Sequence, residues 1–264
     1  MQVFVESVGL LGPGLAGWLA SRPVLAGEAP YVPGQVLLPP TDALPAVERR
    51  RTGLPVRLAL NTGLDALGRS VRPPDTVATV FTSSGADGLV NHQICESLAG
   101  AERDVSPTRF HNSVHNAPAG YWSIALRSPA PSTSLSCFDW SFVAGLLEAC
   151  AYCITEAQPV LLISYDLPYP EPLHAVRPIT GTLGAALLLA PEATSDSFAC
   201  IDIQTEPSAR APTRMDDPAL EALRIGNPTG RALPVLRALT GPATGTLVVD
   251  YLNGGSVTVA VSPC

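Results

Sequence analysis

Asp139 stands at the point of this chain best suited to present a reactive side chain. The run Pro131-Ser132-Thr133-Ser134-Leu135-Ser136-Cys137-Phe138 before it is strand-like. The run Ser141-Phe142-Val143-Ala144-Gly145-Leu146-Leu147-Glu148-Ala149 after it reads as a small-residue apolar helix. Such a strand–turn–helix corner sets backbone amides and a helix N-terminus behind a nucleophile. A carboxylate there is a poor acceptor of acyl groups from thioesters. The corner therefore does other chemistry or no covalent chemistry. Asp139 also reads as a helix N-cap, ionised and favoured by the helix dipole. Cys137 is the thiol that could take an acyl group instead, but it falls on the strand and not at the corner.

Two further groupings invite a chemical reading. Cys150 and Cys153 form a CxxC, a spacing used in metal and redox sites. Both fall in one apolar helical stretch, with no second pair at zinc-ribbon spacing and no preceding redox βαβ unit, so they read as small core residues. His111 and His115, four apart, share a face if their stretch is helical. No HExxH pattern surrounds them, and Asn112 stands where a Glu would serve. They read as hydrogen-bonded structural histidines at a subunit boundary. His92 and His174 receive no role. Neither metal nor cofactor is expected.

Composition bounds the alternatives. The chain has 264 residues, 46% hydrophobic and 15% charged, as in a well-buried globule. Its net charge is −7, with 16 basic residues, all Arg, and no basic stripe, which argues against nucleic acid as a partner. The 27 prolines, about twice the usual share, cluster in connectors such as Pro39-Pro40, Pro73-Pro74 and residues 165–172. Residues 3–20 are apolar but lack a basic start and are broken by Glu6, Gly9, Gly12, Pro13 and Gly14, so they read as a core strand and turn, not a signal peptide. No membrane span and no disulfide framework are expected, and the expected compartment is the cytoplasm.

The elements that must position the corner follow from periodicity. Residues 2–10 alternate as a strand, and 21–48 read as irregular. Helical spacing covers 52–67 and 87–99, with a β-rich run at 75–81 between them. Residues 112–126 hold a short helix or turn, followed by the strand 132–138 and a helix over 141–154. Residues 160–164 and 184–190 are continuous apolar runs, the pattern of strands buried on both faces. Residues 198–242 are harder to read, with helices over 217–224, Asp216 or Asp217 near the N-cap, and 233–239. Residues 245–251 and 256–261 close as a hairpin around Asn253-Gly254-Gly255. This alternation is an α/β architecture with a largely buried sheet.

Several stretches, in order, resemble a β-ketoacyl synthase of the thiolase fold. Residues 3–11 are similar to that family's first strand and glycine turn, and 81–88 to the segment after its third strand. Val105-Ser106-Pro107-Thr108-Arg109-Phe110 resembles its "SP..F" entry, and Asn116-Ala117-Pro118-Ala119-Gly120 its "N..AG" turn. Ala130-Pro131-Ser132-Thr133-Ser134-Leu135 is similar to its "GPS.SI" strand. Residues 158–164 and 182–190 resemble two buried strands after the nucleophile helix. The run from Phe110 to Ile124 resembles a smaller branch, the short ketosynthase-like proteins found beside aryl-polyene pigment enzymes.

The resemblance implies a ketosynthase N-terminal half, βαβαβαββ, over 1–195, and a truncated segment 196–264 completing the same domain. In gap-free register the family's nucleophilic cysteine falls on Asp139. The second half's two histidines and lysine have no counterpart, since the chain has no Lys and its four His precede that region. The resemblance also implies that Phe110, His115, Asn116, Tyr121, Trp122, Ser134, Phe138 and Trp140 line a tunnel or a dimer interface. A non-catalytic, chain-length-factor-like subunit follows, paired as a heterodimer with an active ketosynthase and acting on an acyl or polyene chain held by an acyl carrier protein. The alternatives are an active synthase or acyltransferase using Cys137, and a homodimeric scaffold or carrier-protein docking module.

Overall fold

A computed structural model describes residues 1–101, 103–205, 210–242, 244–252 and 254–264. The chain opens with β1 (Gln2–Gly12), which folds back through Gly14 onto β2 (Leu15–Ala16) and leads into α1 (Trp18–Leu25). Then come α2 (Ala46–Arg51), α3 (Leu54–Leu67), β3 (Ala78–Thr82) and α4 (Gly88–Ala99). Next are α5 (Pro107–Asn112), α6 (Ala117–Leu126), β4 (Ser132–Leu135) and α7 (Ser141–Thr155). β5 (Val160–Asp166), α8 (Leu173–Val176), β6 (Leu183–Ala190) and β7 (Ala199–Gln204) follow. The chain ends with α9 (Pro218–Gly226), α10 (Leu233–Ala238), β8 (Gly245–Tyr251) and β9 (Gly255–Pro263).

Among the described residues the strands form one mixed nine-stranded sheet, ordered β4-β3-β5-β6-β1-β7-β9-β8, with β2 paired to β1. β3 runs parallel to both β4 and β5, and the remaining pairings are antiparallel. The apolar runs are buried because helices cover both faces. Along β5, Val160 and Leu162 pack with Phe142 and Leu146 of α7 in one cluster. The intervening Leu161, Ile163 and Tyr165 pack with Leu58 and Ala59 of α3 and Trp122 of α6 in the other. The period of two sends alternate side chains to opposite layers.

Tertiary packing corrects two expectations. The strand expected over 132–138 stops at Leu135. Phe138 adopts φ 51°, which ends extended backbone, and Phe138–Trp140 turn as a 3-10 helix. Residues 21–48, expected to be irregular, contain most of α1 and the start of α2. Pro23 lies inside α1, and Trp18, Ser21 and Leu25 are its buried face. β7 was not legible, because its burial is supplied by β1 on one side and β9 on the other. The closing hairpin forms as expected, although its Asn253 lies outside the described residues. Asp217 caps α9, accepting from the amides of Ala219 and Leu220.

Candidate functional site

Four connections meet where parallel strands end and helices begin. β4 feeds the corner, β3 runs out through Ser83-Ser84-Gly85-Ala86-Asp87, and β5 runs out through residues 167–172. The fourth is the 3-10 turn Pro228–Ala232 from the C-terminal region. At the corner, the Cys137 amide donates to Ser141 Oγ at 2.9 Å, and Ser141 Oγ donates to the Phe138 carbonyl at 2.7 Å. This pinches residues 137–141 into a tight turn.

Asp139 does not cap α7. Its Oδ1 accepts from Arg177 Nη2 at 2.8 Å, and no side-chain cap bond is made at the helix start. Arg177 also donates through Nη1 to Tyr169 Oη at 3.1 Å, and its guanidinium lies 3.7 Å from the centroid of the Phe138 ring. The N-cap expectation fails because a charge-assisted bond to a neighbouring loop competes better than the local amides. Asp139 is thereby neutralised as a pair, so the bare negative charge expected at the corner is not presented. Cys137 is half-buried beside Tyr251 of β8. Burial, with the Cys137 thiol next to it, pushes the Tyr251 phenol above its ordinary value.

Behind the corner lies a buried carboxylate that ties the connections together. Asp166, at the end of β5, accepts at Oδ1 from the Ser84 amide (2.8 Å), Ser84 Oγ (2.6 Å) and Ser83 Oγ (3.4 Å). Thr229 Oγ1 donates to its Oδ2 at 2.9 Å. Burial pushes the Asp166 carboxyl above its ordinary value, against the opposing pull of the Ser84 and Thr229 bonds. Ser136 Oγ donates to the Ser84 carbonyl at 3.2 Å, which links this network to the corner.

The residues expected at a tunnel or interface are spread over five places. Phe110, Asn116 and Tyr121 line an open groove of about 450 Å³ with Pro107, Val114 and Ile124. Phe110 is 67% exposed there. Trp122 is instead buried against Phe81, edge to face, in the core beneath α3. Ser134 lies on β4, the end strand of the sheet, whose one strand neighbour among the described residues is β3. Phe138 and Trp140 stay at the corner. His115 Nε2 sits 3.3 Å from the Ser83 carbonyl, and His111 packs edge-on to Tyr121. These two histidines do not share a helix face, because α5 ends at Asn112 between them. Cys150 and Cys153 are buried in the core, where desolvation pushes both thiols up to about 12.

No local motif marks Arg177, Asp166, Tyr169 or Tyr251 in the sequence. One signal is present, since Arg177 is the one arginine between Arg127 and Arg210. Among the described residues, no three of His, Cys, Asp and Glu group to hold a metal ion, and no helix is long and apolar enough to cross a membrane.

Residues 25–225 match the family described as β-ketoacyl synthase, N-terminal domain. The chain belongs to that family. Its fold is the thiolase-like ketosynthase fold. A ketosynthase (ApeO) in complex with its chain length factor (ApeC) from Xenorhabdus doucetiae is similar over 99% of both chains, with 25% identity and a TM-score of 0.73. The ishigamide ketosynthase/chain length factor is similar over 99% of both chains at 12% identity, with a TM-score of 0.72. The AntDE:AntF complex, a type II polyketide acyl carrier protein with its ketosynthase bound to the hexaketide, matches 100% of this chain and 99% of its own. Its identity is 12% and its TM-score 0.72. No curated protein matches this chain.

Proposed function

We propose that this chain is a non-catalytic, chain-length-factor-like subunit. It pairs with an active β-ketoacyl synthase and shapes the tunnel in which a carrier-bound acyl or polyene chain grows. The observation that carries this reading is the Asp139–Arg177 pair at the nucleophile corner. Condensation needs a thiolate to accept the acyl group and donors to stabilise the enolate left by decarboxylation. A carboxylate locked to a guanidinium supplies neither. Three of the four imidazoles have other contacts: His92 with Glu96, His111 with Tyr121, and His115 with the Ser83 carbonyl of the connection after β3.

The other half of the reading is a surface suited to a partner. β4 ends the sheet with unpaired backbone groups on one side, a natural template for pairing with another chain. Its Ser134 hydroxyl is buried without a hydrogen-bond partner among the described residues. The groove at Phe110, Val114 and Ile124 adds exposed apolar area. In the same reading, residues 1–195 carry the ketosynthase-like unit and 196–264 complete its domain.

Purification with a ketosynthase that carries a cysteine nucleophile, followed by turnover assays of each chain and the pair, tests the proposal. The expected result is a stable heterodimer whose condensing activity needs the partner's cysteine. Condensation of acetyl and malonyl thioesters by the isolated chain, lost in Cys137→Ala, would overturn it in favour of an active enzyme. Self-association with no capture of the synthase would favour a homodimeric scaffold.

A further inference from the structure

A second cavity, of about 270 Å³, lies between the connection after β3, the loop after β5 and the start of α3. Leu54, Pro55, Leu89, Val90, Leu167 and Pro168 give it apolar walls. Asp87, buried and capping α4 through the Val90 amide, is its one carboxylate. Burial raises the Asp87 pKa above the ordinary value.

Tyr169 lies against the backbone of the connection after β3. A Cβ on Gly85 would stand 1.7 Å from the Tyr169 hydroxyl oxygen, and one on Gly88 2.3 Å from a ring carbon. Both glycines are required by that close approach. On the other side, Tyr169 Oη is bonded to Arg177, which is bonded to Asp139 and stacked over Phe138. A continuous row of Phe138, Asp139, Arg177 and Tyr169 thus runs from the nucleophile corner to the cavity wall.

We infer that Asp139 is a positioning residue: with Arg177 it clasps Tyr169 in place as a fixed end wall, and Tyr169 limits the length of hydrocarbon chain that this cavity takes. The inference rests on the subunit reading above, and it gives the residue at the nucleophile position a mechanical task. The walls dictate the ligand's orientation. Among the described residues no cationic side chain lines the cavity, and Asp87 is acidic, so the hydrocarbon end enters and any anionic head stays outside. An unclasped tyrosine ring swings about its side-chain torsions, whereas one held by a charge-assisted network does not.

The test uses the 264-residue chain and saturated fatty acids of increasing length, from butyrate to palmitate, with affinity read by displacement of an environment-sensitive fluorophore. Affinity is expected to rise about tenfold for each added pair of methylenes while they are being buried, then to stop at a cutoff. Tyr169→Ala is expected to move the cutoff to longer chains. Asp139→Asn, a half-exposed and sterically neutral change, is expected to move it in the same direction by a smaller step. Identical cutoffs in the native chain and both folded variants would overturn the inference, as would binding with no length dependence. Capture of a ketosynthase does not bear on the cutoff, so the subunit reading and the clasp fail separately.

Discussion

Arg177 Nη2 stands 2.8 Å from Asp139 Oδ1, joining the proline-rich loop after β5 to the corner that starts α7. The Asp139 side chain is 41% exposed and that of Arg177 18%. Solvent therefore screens the pair. A double-mutant cycle on Asp139→Ala and Arg177→Ala, read by urea denaturation, is expected to give a coupling of about 0.5–1 kcal/mol. A coupling of several kcal/mol would mean that the corner is held by this pair and not by Ser141.

Glu6 carries a pH dependence of the usual acid-limb sign. It is seated at the bulge of β1 and held by Arg72 at 2.5 and 2.6 Å, with Thr194 adding a third bond. Burial opposes its ionisation, but the Arg72 and Thr194 bonds outweigh that and hold its pKa below the ordinary glutamate value. The stabilisation is present above the unfolded pKa and is lost as pH falls through the folded one. Glu6→Gln is expected to lower stability at neutral pH by about 2 kcal/mol and to flatten the acid limb. Denaturation midpoints measured from neutral pH to acid check this.

Asp166 gives the opposite sign. Its folded pKa is raised by burial, so the folded state holds the proton more tightly than the unfolded chain. Its ionised form therefore burdens the fold at neutral pH, and the burden eases as pH falls through the folded value. Asp166→Ala strands the donors of Ser84 and Thr229 and is expected to cost about 3 kcal/mol. Asp166→Asn keeps one acceptor oxygen, should cost less, and should remove this site's pH dependence. Equal stability of Asp166→Ala and the native chain would sink the network argument.

The two CxxC thiols should be inert in the folded chain. Both are buried and pushed up to about 12, so almost no thiolate exists near neutral pH. Timed labelling with a thiol reagent is expected to modify the exposed Cys95 and Cys264 quickly, and Cys150 and Cys153 only on unfolding. Fast labelling of either buried thiol would place the core around α7 in doubt.

Phe110 tests the partner surface. It is 67% exposed and makes the groove's largest apolar projection, so Phe110→Asp should leave the thermal midpoint of the isolated chain almost unchanged. Its affinity for a ketosynthase partner is expected to fall by at least about 2 kcal/mol, the scale of an aromatic anchor at an interface. Unchanged affinity, measured by calorimetry, would move the interface elsewhere.

The sequence by itself determined the elements whose signals are local. The apolar runs of β5 and β6, the alternation of β1, the small-residue helix α7 and the turn chemistry of the closing hairpin need only near neighbours to be read. The strand–turn–helix corner at Asp139 was legible for the same reason, as was the ordered set of family-like segments. Tertiary structure alone decided what each corner residue touches. Arg177 reaches Asp139 across 38 positions of chain, and Asp166 reaches Thr229 across 63. Trp122, one residue from the groove-lining Tyr121, turns into the core against Phe81. Periodicity reports which face of an element is apolar, but ion pairs and the desolvation of a carboxylate depend on which loops the folded sheet brings together. That is why a lone arginine in a proline-rich loop carried no meaning until the strands set it beside the corner.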